Sequence, residues 1–275
     1  MTTLPTQTAR GGFHPVARAE RLEVLDALRG VALLGIFLVN IWSFSGYTWL
    51  SDGQKQALPF AAANKIVYFI FNVLIETKFV TIFSILFGVG FHLQLERAKA
   101  QSVAFRSYFG RRMVLLGLIG SLHAYLLWMG DILRYYALVG LLLLLLRNWP
   151  AQRLLRLSVL FAVGLTAVAF ILTAAFPLPI AGFPTSQEVL ETFARGTYSQ
   201  VLAMNWRIDD VHNFIESSPL TLVALIGRIT LGFWLGRIGL FARPDQFRSL
   251  LKKWFWWGLA LGPASSVAGP TCPNK

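Results

Sequence analysis

Between Gly120 and Gly140 the sequence GSLHAYLLWMGDILRYYALVG sets His123, Asp131 and Arg134 in an otherwise apolar stretch. A neutral imidazole is the natural general base near pH 7, and a carboxylate beside it can orient the ring and stabilise its charged form. His123 and Asp131 are eight residues apart, which on one continuous helix is about 12 Å of rise and about 80° of rotation. They form a dyad only if the helix breaks near Gly130 or a third residue mediates. The same residues also suit structural roles. His123 can bond a neighbouring carbonyl, and Asp131 can cap the helix that follows it, with Arg134 as its ion partner.

A second constellation lies in RLEVLDALRGVALLGIFLVN, residues 21–40. In a helix from about Asp26, Arg29 and Asn40 fall within about 20° of one face, with Asn40 about 16 Å deeper. This pairing could hold an anion such as a phosphate on Arg29 and line a polar path with Asn40. It equally suits a basic anchor at the membrane edge and an interhelical Asn hydrogen bond. Arg228 stands halfway along another apolar run with no acidic neighbour in sequence, so it must find water or a partner. In ETKFVTIFSILFGVGFHLQLER, residues 76–97, Gly88 and Gly90 read as packing positions and His92 as interfacial. Asn205, Arg207, Asp209, Asp210 and His212 form a polar knot that could touch a substrate or be a solvated loop. The chain carries neither a GxxxxGK[ST] phosphate loop nor HExxH, and its single cysteine, Cys272, excludes a disulfide framework and a thiolate metal cluster. No metal and no bound cofactor are expected.

The elements that must position these groups follow from composition. Of 275 residues, 55% are apolar and 14% charged. Counting Gly and leaving out Tyr gives roughly 61%, against the ordinary 45–50% or so, so the excess must face lipid. A crossing helix needs about 20 mostly apolar residues. Six runs qualify, at roughly 31–50, 79–95, 113–130, 132–147, 154–176 and 219–241, with a seventh beginning at Trp254. The stretch 64–75 is short and reads as re-entrant or interfacial. The expected fold is an all-α polytopic membrane bundle of six spans plus an incomplete seventh.

The net charge of +12 then acquires a meaning from position. Clusters at Arg10 to Arg29, Arg97 to Arg112, Arg147 to Arg156 and Arg237 to Lys253 hold 17 of the 25 basic residues. All fall on one side if 64–95 crosses once, which places the N-terminus in the cytoplasm. The basicity is an orientation signal and the partner is the lipid bilayer, with no nucleic acid. The N-terminal stretch has no apolar core of a signal peptide. We divide the chain into a cytoplasmic arm (1–24), a membrane domain (25–262) with an outer loop near 177–218 long enough to act as a lid, and an irregular tail (263–275). The apolar run WFWWGLALG stops after nine residues, from which we expect a truncated or frame-shifted chain.

LDALRGVALLGIFLVNI (25–41), KFVTIFSILFGVG (78–90), RRMVLLGLIGSLHAYLLWMGDILRYYALVGL (111–141) and LGRIGLF (235–241) together resemble the YeiB-like family of bacterial inner-membrane proteins. That family is similar to the transmembrane acyltransferase superfamily, which also holds the heparan-α-glucosaminide N-acetyltransferases. The resemblance covers almost all of 21–262. It implies transfer of an acyl group from a carrier such as acyl-CoA, a co-substrate, to a glycan or other small acceptor, with an intramembrane His as base. It marks Asp26, Arg29, Asn40, His123 and Asp131 as family positions without assigning their roles. The chain departs from the pattern after 262, where the family continues with a Gly-Arg-Met-type motif. Two rival classes stand beside the transferase: a transporter or exporter component with Asp131, Arg134, Arg228 and Asn40 along a solute path, and a non-catalytic assembly factor.

Overall fold

The computed structural model describes residues 23–75, 77–175, 184–208 and 218–267. Every regular element among them is helical. Helix α1 (Glu23–Phe44) opens with Glu23 and Asp26 in its first turn, where carboxylates complement the helix dipole. It ends well before residue 50, where we expected the first span to end, because Gly46 turns the chain in a left-handed conformation (φ 75°). A short α2 (Asp52–Ala57) is started by a capping box of Ser51 and Gln54.

Helices α3 (Ala61–Leu74) and α4 (Lys78–Ala100) are separated by Thr77, which sits at φ 61°. The short run at 64–75 is therefore a 14-residue helix, about 21 Å long and well short of a bilayer core. Next come α5 (Phe105–Leu126) and α6 (Leu133–Leu146), joined by the turn 127–132. The run at 154–176 folds as α7 (Ala151–Val159), a π-helical segment (Leu160–Leu165) and α8 (Thr166–Ala175). The long connection between α8 and the next apolar helix contains two helices of its own, α9 (Ser186–Arg195) and α10 (Tyr198–Ile208). Asp209, Asp210 and His212 of the expected polar knot lie outside the described residues. Helix α11 spans Ser218–Ile238, and α12 spans Arg248–Val267, so helical backbone continues past residue 262, where we expected an irregular tail.

Among the described residues, three helical stretches are long and apolar enough to cross a membrane: Glu23–Phe44, Ala61–Ala100 (α3 and α4 taken together) and Ala151–Val168. Helix α6 is apolar but shorter. Helices α5 and α11 have the length, at 22 and 21 residues, but carry Arg106, Arg111 and Arg112, and Arg228 and Arg237. The apolar surface agrees with a membrane protein. Leu34 and Phe37 on α1 and Leu118 and Leu122 on α5 are each more than half exposed, a distribution that water would penalise and lipid does not.

Helix α4 is the centre of the bundle. It runs parallel to α11, with Ile85 facing Gly232 and Gly88 facing Ile229 and Phe233. At both glycines a Cβ would overlap the carbonyl oxygen of the opposite helix, so small residues set the approach, as in membrane helix pairs generally. Beside this seam, Phe91 meets Phe105, Phe109 and Phe233 edge-on at 5.4, 5.0 and 4.9 Å. Arg237, at the end of α11, donates to the carbonyl of Arg147, at the end of α6, bringing two of the basic clusters to the same end of the bundle.

Candidate functional site

Helix α5 stops at Leu126, and the amides of Leu127 and Trp128 both return to the His123 carbonyl, at 2.9 and 2.8 Å. The break falls just ahead of Gly130 and folds the chain back on itself. His123 Nδ1 thereby comes to lie 3.0 Å from Asp131 Oδ2. The other carboxylate oxygen, Oδ1, accepts from the backbone N–H of Arg134 at 3.2 Å. The two oxygens of this one side chain thus contact the imidazole and a backbone amide in the first turn of α6, whose N-cap position is Ile132. The carboxylate is buried, at 2% exposure, whereas the imidazole side chain is 40% exposed.

Gly120 makes this fold-back fit. A Cβ there would stand 2.8 Å from both Asp131 Oδ1 and the Arg134 nitrogen, closer than side chains tolerate. Sequence reasoning passed over Gly120, and the only signal for it was a small residue one turn before the histidine. The Arg134 guanidinium lies over the rings of Tyr125 and Tyr135, 5.4 and 5.9 Å from their centroids, rather than on Asp131.

Helices α9 and α10 cover this end of α5. Tyr198 donates to the Leu126 carbonyl at 3.0 Å, Trp206 stacks on Tyr125 at 4.7 Å, and Met129 is buried with Val189, Met204 and Ile208. Asn205 is fully buried here, its amide donating to the Tyr125 carbonyl at 3.5 Å. Arg207 of the same helix pairs with Glu188 of α9 at 2.5 Å. The long connection, for which lid and solvated connector were both open, thus contains a helical pair docked on the α5–α6 turn.

Arg29 lies at the opposite end of the molecule's interior. It pairs with Asp26 one turn back, at 2.9 Å, and lines a cavity of about 610 Å³ between α1, α4, α5 and α6. The cavity runs past Phe83, Phe87 and Met113 to Ile119, Leu133 and Tyr136. Ile119 is one turn from His123, so the lining ends just short of the dyad. Asn40 and Arg228 are not among the lining residues. Asn40 is half-buried on α1, a turn before Phe44, whose ring meets Trp128 edge-on at 4.6 Å. It therefore sits near the level of the α5–α6 turn. Arg228 is half-buried on α11, in the neighbourhood of Tyr136 of α6. Tyr136 is itself buried and shares a 2.7 Å hydrogen bond with Ser84 of α4. This polar pair across two spans was also missed, although the rule that polar groups inside lipid carry meaning covers Ser84.

The chain is 29% identical to the uncharacterised protein YxaH of Bacillus subtilis over 93% of its own length and 67% of that protein's. It is 39% identical to an uncharacterised 39.9 kDa protein in the amylase 3' region of Bacillus acidopullulyticus, over 48% of this chain and 36% of that one. It is 36% identical to the uncharacterised protein YeiB of Escherichia coli, over 45% of this chain and 30% of YeiB. These relatives support a YeiB-like family. The chain thus spans about a third of the length of the last two. No family model and no solved structure matches it.

Proposed function

We propose that the chain is an integral inner-membrane protein of six spans and an incomplete seventh, with a cytoplasmic N-terminus, that moves an acyl group from a carrier such as acyl-CoA to a glycan or other small acceptor. The observation carrying this reading is the 3.0 Å contact between His123 Nδ1 and the buried Asp131 carboxylate. Asp131 holds the proton on Nδ1, leaving Nε2 free as the base. Nε2 takes the proton of an acceptor hydroxyl or amine, the acceptor oxygen or nitrogen bonds to the thioester carbonyl, and the carrier leaves as the thiol. Arg29 holds the carrier's phosphates, and Asn40 extends the polar path. The apolar helices support the membrane part of this reading; the acyl transfer rests on the family resemblance and the His123–Asp131 contact.

The test is consumption of a carrier thioester by the purified protein in lipid. His123→Ala is expected to lower turnover by about 10²–10⁴-fold, the usual worth of a positioned base. Full turnover in that variant removes His123 from the mechanism.

A transport reading draws support from the π-helical segment Leu160–Leu165, an interruption of the kind often found at functional sites. With Arg228 half-buried nearby on α11, it predicts solute flux into vesicles without an acyl donor. An assembly factor predicts neither flux nor turnover.

A further inference from the structure

The mouth of the interior cavity contains a second arginine that the orientation signal had absorbed. Arg112 Nη1 donates to Gln94 Oε1 at 2.9 Å, and Gln94 Nε2 donates to the Gly90 carbonyl at 3.1 Å. Arg29 closes on the same turn of α4 from the other side: a Cβ at Gly90 would stand 3.0 Å from its Nη2. Two guanidiniums from α1 and α5 thus converge on one turn of α4, with Asp26 as the nearby carboxylate on Arg29. Beyond them the wall is apolar and aromatic down to Tyr136, whose hydroxyl is already engaged with Ser84. From Gln94 to Phe83 this wall follows α4 for about 16 Å. Its rim residues Leu115 and Ile119 are 59% and 57% exposed, so the channel opens sideways toward lipid.

We infer that this cavity binds an elongated anionic ligand end-on, its oxyanion between Arg29 and Arg112 and its apolar arm along Phe83, Phe87, Met113 and Leu116. Guanidiniums are suited to oxyanions because they donate in a fork. The channel suits an arm with few polar groups, because the wall leaves them unpaired. Its volume of about 610 Å³ is that of a single small-ligand site. A single-chain alkyl phosphate from the bilayer has this chemistry throughout; a carrier thioester shares its phosphate and acyl chain but places two amides between them. The inference rests on the transferase reading only in taking such a ligand as the acyl donor; binding itself does not require it.

The probe is a long-chain alkyl phosphate bearing a photoreactive diazirine, applied to the protein in zwitterionic nanodiscs. Crosslinks are expected on α4 and α5, suppressed by dodecyl phosphate but not by dodecanol or inorganic phosphate, each of which lacks one half of the ligand. Coenzyme A competing as well identifies a soluble carrier, and its failure to compete identifies a lipid; either supports the site. Arg29→Gln and Arg112→Gln should each weaken dodecyl phosphate competition about tenfold or more, the worth of a charge-assisted hydrogen bond. Ile119→Trp, at the exposed rim, should abolish labelling with thermal stability unchanged. Equal competition by dodecanol, or wild-type labelling of Arg112→Gln, overturns the proposal. If labelling follows expectation while His123→Ala retains turnover, the transferase reading falls and the site stands. If transfer needs His123 while Arg112→Gln changes neither labelling nor the donor's KM, the site falls and the transferase stands.

Discussion

Asp131 joins two jobs that are usually separate, and substitutions can part them. Asp131→Asn retains an oxygen for the Arg134 amide but loses the carboxylate facing His123; Asp131→Ala loses both. Removing a cap costs about 0.5–2 kcal/mol, and an unpaired buried group about 1–3 kcal/mol. Thermal unfolding in detergent is therefore expected to show a clearly lower midpoint for Asp131→Ala than for Asp131→Asn, with turnover low in both. Equal midpoints would show that the cap bond carries no stability. Gly120→Ala should behave like Asp131→Ala, because its methyl would displace the carboxylate and the Arg134 amide together. The chemistry-bearing residue types were legible in the sequence here. Their contact was not, because an eight-residue spacing becomes a contact only through where α5 breaks, and that break depends on packing around the turn.

The parallel seam of α4 and α11 is the element on which the rest is hung. Gly232 faces the carbonyl of Ile85, and nothing but glycine fits there. Gly232→Leu is expected to cost about 1–3 kcal/mol or more and to reduce the yield of monodisperse protein. Gly258 on α12 has no atom within 4 Å of a Cβ position, and Gly258→Ala should leave yield and midpoint unchanged. Size-exclusion profiles of the two variants compare them directly, and similar profiles would count against the seam. Gly88 was readable as a packing glycine from the sequence. Its partner helix was not, since α4 and α11 are more than a hundred residues apart, and many apolar helices could have accepted it. The helical pair was likewise readable only as a long connection; α9 and α10 owe their place to aromatic contacts with Tyr125 and Trp128.

Taken whole, the molecule gathers polar groups at two ends, with Ser84, Tyr136 and Arg228 between them. Arg29, Arg112 and Gln94 gather at one, and the dyad with α9 and α10 lies at the other, about 16 Å further along α5 from Arg112 to His123. The proposed cytoplasmic N-terminus predicts that Lys99 faces the cytoplasm and Gln200 the outside. In a Cys272→Ser background, an impermeant maleimide added to spheroplasts is expected to label Gln200→Cys and to spare Lys99→Cys until the membrane is opened. The reverse pattern would invert the orientation inferred from the basic clusters.

Composition and order alone determined that this chain is helical and lipid-facing, and where most of its helices lie, because the cost of leaving backbone and charge in hydrocarbon depends on local sequence. They also singled out His123 and Asp131 as polar groups out of place. Tertiary structure decided that these two touch, that Gly120 makes room for them, that Ser84 meets Tyr136, and that Arg29 shares its turn of α4 with Arg112. Each of those depends on residues distant in sequence or on the exact place a helix ends, and both are settled by packing rather than by any local preference.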